Sequence, residues 1–183
     1  MAKSKGRKIF GILLILSYVS VPLCAQNERF LEDYLERLEN AKKYTLLVAE
    51  MMPEEDFNYK ATEESLSFAE HLMHIGWAMD WHSQSLMGGR AARDWETDTE
   101  LKVADKTKAE MIEKIGQTFD RTIVFLQNFD LEALDAHLDY FGLERSKRQV
   151  MLLLADHITH HRAQMLVYLR LKGIKPPRYV LYQ

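Results

Sequence analysis

Asp156-His157-Ile158-Thr159-His160-His161-Arg162-Ala163-Gln164 sets three histidines inside a run of apolar helical periodicity. His157 and His161 are four residues apart. On an α-helix that spacing puts them one turn apart on the same face, where two imidazoles can grip one transition metal from a single rigid element. A second stretch, Glu70-His71-Leu72-Met73-His74-Ile75, offers a third imidazole. Three histidines leave an open coordination position, as catalytic zinc sites do and closed structural sites do not. Neutral imidazoles suit Zn²⁺ first, with Ni²⁺ and Fe²⁺ as alternatives. Such a cation lowers the pKa of bound water to about 7, polarises a substrate oxygen or takes a substrate thiolate.

Projected at about 100° per residue, Val150, Leu154, His157, His161, Gln164 and Tyr168 form one stripe. Two histidines therefore sit on a face that otherwise reads as core. Each would need a polar partner there, and a shared cation satisfies both at once. His160 falls about 60° from His157 and is an alternative i, i+3 ligand, expected on the flank. On the earlier stretch Phe68, Leu72, Ile75 and Met79 mark the apolar centre. His71 lies nearer that centre than His74, so spacing leaves both open as ligands. His82 is expected at the surface or at a loop end. Gln164 could orient a ligand or a bound water. Glu70 could accept the second ring N–H of His74, although a capping box with Ser67 competes for it. Asp156 and Glu54-Glu55-Asp56 read as solvated, and Trp77 and Trp81 as packing residues.

Helical elements must hold these side chains. Leu31, Tyr34, Leu35, Leu38, Ala41, Tyr44 and Leu47 predict a first helix over Glu28 to Met52, stopped by Pro53. Phe57 to Ser65 reads as irregular. A second helix starts with Ser67 as N-cap and stops near Gly88-Gly89, followed by a polar loop from Arg90 to Val103. A third runs from about Lys106 to Asn128 through Met111, Ile115, Phe119, Thr122, Ile123 and Leu126. Leu131 to Arg145 reads equally as a short helix or an extended excursion. A fourth helix runs from Ser146 to Lys172, with Gly173 as its C′ residue and Pro176-Pro177 beyond. The tail from Arg178 folds back over the bundle in this reading. Four amphipathic segments without strand alternation predict an all-α four-helix bundle over residues 26–183.

Residues 1–25 read as a secretory signal peptide: Lys3, Lys5, Arg7 and Lys8, then an apolar run from Ile9 to Leu23. Cleavage is expected after Ala25. An uncleaved anchor and a lipid anchor on Cys24 are the alternatives. Cleavage removes four basic residues and moves the net charge from −3 to −7. It also removes the one cysteine, which excludes disulfides and cysteine nucleophiles from the mature chain. The mature domain is then acidic, exported to the periplasm or medium, and without stable membrane association. An acidic domain with no basic patch argues against nucleic-acid binding. H-E-x-x-H, C-x-x-C, a phosphate-binding Gly-rich loop and the paired E-x-x-H motifs of di-iron bundles are all absent.

Ser67-Phe68-Ala69-Glu70-His71-Leu72-Met73-His74-Ile75-Gly76 resembles the helix-2 motif of the DinB/YfiT-like metalloenzymes, and His157-Ile158-Thr159-His160-His161-Arg162-Ala163-Gln164 resembles their H-x-x-x-H-R-G-Q motif. Tyr168-Leu169-Arg170, Gly173 and Pro176-Pro177 resemble the usual continuation. The resemblance implies an up-and-down-type bundle with a divalent metal on His74, His157 and His161. His74 is chosen because an apolar and then a small residue follow it. Ala163 stands where the family commonly has glycine, a change that bears on packing more than on ligation. Relatives that transfer low-molecular-weight thiols to electrophiles, or isomerise with a thiol cofactor, make thiol transfer to a small molecule the expected activity. Export makes metal-assisted hydrolysis its competitor. A non-catalytic metal-binding envelope protein is the other class, a metal-free interaction module a third, and a homodimer is compatible with each.

Overall fold

The computed structural model describes residues 5–179, with side chains from Ala25 onward. It holds four helices, α1 (Lys5–Met51), α2 (Phe68–Asp80), α3 (Lys108–Gln127) and α4 (Lys147–Leu171), and one hairpin, β1 (His137–Tyr140) and β2 (Leu143–Ser146). All but the last residue of the expected leader falls outside the described side chains. Among the described residues no helix is long and apolar enough to cross a membrane.

α1 and α2 each pack on both α3 and α4. Successive helices α1 and α2 therefore stand on opposite corners of the bundle, as do α3 and α4. Chain direction in such an arrangement requires two long connections across the bundle ends, and residues 52–67 and 128–146 supply them. On α1 the buried stripe runs Leu31, Tyr34, Leu38, Ala41, Thr45 and Val48, and Met52 continues it just past the helix end. Leu47, expected in the core, is exposed: from Tyr44 the stripe steps four residues to Val48 rather than three. Every core position expected on α3 is buried.

Sequence-coded caps fix the helix starts. Ser67 with Glu70, Thr107 with Glu110 and Ser146 with Gln149 each form a complete capping box at α2, α3 and α4. α4 ends in a Schellman motif: Gly173 takes φ 74°, Ile174 N donates to Leu169 O at 2.8 Å, and Gly173 N donates to Arg170 O at 2.9 Å. The tail then meets α1, where the Tyr44 hydroxyl donates to Pro177 O at 3.2 Å and Tyr179 packs edge-on against Tyr44.

Two features were not legible beforehand. α2 does not end at Asp80 but widens into a π-helical stretch, Trp81–Met87, before Gly88. Residues 131–145 take both readings in turn, a 3₁₀ helix over Leu131–Asp135 and then the hairpin. Tyr140 pairs with Leu143 across a two-residue turn in which Phe141 (φ 55°) and Gly142 (φ 79°) are both left-handed, the geometry that matches strand twist.

Candidate metal centre

The α2–α4 seam carries the histidines. Gly76 brings the other side of α2 close to α3: a Cβ there would sit 2.5 Å from the Ile115 Cδ1 and 3.3 Å from the Leu101 Cδ2. This close approach explains the small residue two positions after His74. His74 from α2 and His157 and His161 from α4 converge, with one ring nitrogen of each within 4.8 Å of the others. Their ring centroids are 4.5 to 5.0 Å apart. The sequence left His71 and His160 open as ligands, and neither joins this group. His160 is exposed. His71 is buried behind the cluster, its Nδ1 2.9 Å from His161 Nδ1. With His161 donating in that bond, its Nε2 lone pair is left for a cation, the arrangement by which an outer partner fixes a ligand's tautomer. Tyr168 in turn packs edge-on to the His71 ring at 5.5 Å, and its hydroxyl donates to Leu66 O.

The imidazoles of His71, His74, His157 and His161 are held neutral. Burial, reinforced by neighbouring histidines, pushes the pKa of His161 down to about 3 and those of His71 and His157 to about 4. Burial lowers that of His74 as well. Neutral rings present lone pairs, the form that ligates metal. His157 Nε2 is buried and has no hydrogen-bond partner among the described residues. A buried nitrogen without a partner costs on the order of 1–3 kcal/mol, and a shared cation is the group that would satisfy it. The donor set therefore fits a divalent transition metal.

The remaining candidates have other employment. Glu70 accepts from Ser67 N at 2.6 Å and pairs with Lys60 at 3.4 Å, completing the capping box rather than reaching His74. Gln164 is half-buried and makes no side-chain hydrogen bond among the described residues. Asp156 is exposed, 3.9 Å from Arg37.

His82 corrects the sequence expectation. It is 3% exposed, not a surface residue. Its Nδ1 donates to Ala78 O at 2.7 Å, its Nε2 accepts from the Tyr140 hydroxyl at 3.0 Å, and its ring lies 6.4 Å from that of His157. At about 100° per residue His82 falls about 20° from Ile75, on the apolar face, so periodicity already pointed to its burial and only its nearness to the Gly88-Gly89 stop argued for a loop end. Trp95 was also missed, because it sits in the polar loop after α2. It packs edge-on against His74 at 6.0 Å and Trp77 at 4.6 Å.

Fold and cluster together define a helical bundle whose three converging histidines could hold a metal ion. Residues 25–182 match the DinB family, and the chain belongs to it. It is 28% identical over 133 residues to the uncharacterized protein YjoA of Bacillus subtilis strain 168, covering 69% of this chain and 80% of YjoA. The crystal structure of YjoA superposes with a TM-score of 0.63 at 22% identity, over 82% of this chain and 96% of that one. A DinB-like protein from Bacillus cereus ATCC 10987 superposes with a TM-score of 0.64 at 19% identity, over 84% of this chain and 97% of its own. At these identities the superpositions speak for the fold.

Proposed function

We propose that the chain is an exported metal-dependent enzyme that binds one divalent metal, zinc first, through His74, His157 and His161, and acts on a small molecule. The observation that carries this reading is the convergence of three neutral imidazoles from two helices, one of them with a buried nitrogen that has no hydrogen-bond partner among the described residues. When bound, the cation supplies Lewis acidity to whatever oxygen or sulfur occupies its open position. The chain's own residues hold the site. His71 fixes the ring of His161, Tyr168 braces His71, and the capping box at Ser67 sets the start of the helix that carries His74.

Thiol transfer is the favoured reaction class: a substrate thiolate forms a carbon–sulfur bond while the leaving group departs with its electron pair. Hydrolysis needs a far stronger acidification of its nucleophile, since a thiol ionises near pH 8.5 and bulk water near 15.7. Hydrolysis also benefits from a carboxylate base, and Glu70 is engaged at Ser67 and Lys60. Residues 1–25 supply the export reading, on their basic start and apolar run. The test is an assay of zinc-loaded protein against thiol-plus-electrophile pairs and against ester and amide panels, beside His161→Ala. Thiol conjugation that disappears in the variant is expected. Turnover of esters or amides alone would reassign the chain to hydrolysis. Inactivity in both, with metal bound, would favour a non-catalytic metal-binding protein.

A further inference from the structure

A cavity of about 400 Å³ opens beside His74. Its size falls within the range of small-molecule sites. Leu66, Met73 and Leu101 give it apolar walls, and Trp95 and Lys102 stand at its edge. The Lys102 Nζ lies 5.0 Å from the Trp95 ring centroid, within cation–π reach. That ammonium donates to Glu96 O at 3.4 Å and forms no ion pair among the described residues. The carboxylate that also lines the cavity, Glu70, is already neutralised by Lys60. The Asp94 carboxylate feels the Lys102 charge but forms no ion pair with it, so the cavity joins an apolar body to a positive charge that no direct ion pair neutralises among the described residues.

The loop that carries Trp95 is preformed. Asp80, 2% exposed at the end of α2, accepts from Arg90 and from Arg93 Nε at 2.9 Å. Arg93 also reaches Asp98 and Glu100, each at 2.6 Å. Glu100 is in turn approached from α3 by Lys114 at 3.6 Å. One arginine thus ties three carboxylates together and pins the segment on both sides of Trp95.

We infer that this cavity seats the organic substrate of the three-histidine site, and that the substrate is an apolar small-molecule acid. Its hydrocarbon or aromatic body lies against Trp95 and Leu101, its anionic group meets Lys102, and its reacting end faces His74. The placement of the reacting end rests on the reading proposed above; the binding selectivity does not.

Calorimetric titration of the chelator-treated protein with phenylbutyrate, phenylbutanol and phenylbutylamine compares three charges on one body. Removing metal first ensures that a carboxylate is not captured by the histidine site. Phenylbutyrate should bind roughly fivefold tighter than the alcohol, the scale of one solvent-screened ion pair, and the amine most weakly. Lys102→Met should bring the acid down to the alcohol's affinity and leave the alcohol unchanged. Lys102→Arg should restore the preference, and Trp95→Ala should weaken all three. Circular dichroism of each variant checks that it is folded. Equal affinity for acid and alcohol, an acid preference that survives Lys102→Met, or no binding at all would overturn the inference. Because no metal is present, these outcomes are independent of whether elemental analysis finds metal in the untreated protein.

Discussion

The two sides of this bundle are built on opposite principles. On α1 and α3 the buried side chains are largely hydrocarbon, including Leu38, Val48, Met111, Ile115 and Phe119. Where α2 meets α4, imidazoles occupy positions that would otherwise be apolar, with His71 and His161 buried and His74 and His157 half-buried between them. The first side stabilises the fold by removing apolar surface from water. The second carries desolvated nitrogens, and one of them has no partner among the described residues. The difference separates the side that stabilises the fold from the side that could hold a metal ion.

Substitution should expose that division. Phe119→Ala on the apolar side should lower unfolding free energy by about 3–5 kcal/mol. His161→Ala in metal-free protein should cost far less. Urea titration of both variants checks this, and equal losses would mean that the histidines are simply core. Asp80→Ala removes the buried partner of Arg93, which keeps Asp98 and Glu100, and should cost about 1.5–3 kcal/mol, the scale of hydrogen bonds to a charged group. It should also release the loop around Trp95, read as loss of the phenylbutyrate preference.

Acid should separate the two sides next. Burial lowers the pKa of His82 to about 4, with a hydrogen bond to Ala78 opposing the shift, while unfolded histidine titrates near 6.5. The fold thus favours the neutral ring. Its contribution is fully present above pH 6.5 and is lost as pH falls toward 4. His71, His157 and His161 act in the same direction. Thermal midpoints of metal-free protein should fall through this window, and a flat profile from pH 7 to 4 would contradict the burial assigned to these rings. The smallest effect should come from Ser67→Ala, about 1 kcal/mol from one N-cap. Metal affinity should change little, because the cap sets the start of α2 and not its face.

The sequence carried most of this division at the level of pattern. The start of α2 was legible because Ser67 satisfies a backbone donor locally, and local chemistry survives any tertiary arrangement; the boxes at Thr107 and Ser146 obey the same rule but were not read as caps from the sequence. His157 and His161 were legible for the same reason, being one turn apart on one element. Spacing left the choice between His71 and His74 open, and the family resemblance selected His74, the ring that joins the cluster. Both lie within reach of α4, and only the relative rotation of two helices separates the ring behind the cluster from the ring within it. That rotation depends on the close approach at Gly76, which is a tertiary fact. His82 was misplaced because its nearness to Gly88-Gly89 was weighed above its place on the apolar stripe, whereas the π-helical stretch carries the helix on past it to Met87. Trp95 was hidden in a loop whose shape depends on Asp80 and Arg93, thirteen positions apart.

The central claim is that three imidazoles hold one cation, and elemental analysis of protein purified without chelator tests it most directly. One divalent metal per chain is expected in the wild type and in His160→Ala, and none in His74→Ala, His157→Ala or His161→Ala. His71→Ala should keep the site with roughly 10–100-fold weaker affinity, as for loss of an outer hydrogen-bond partner. A metal-free wild type, or metal retained in His74→Ala and lost in His71→Ala, would contradict the account.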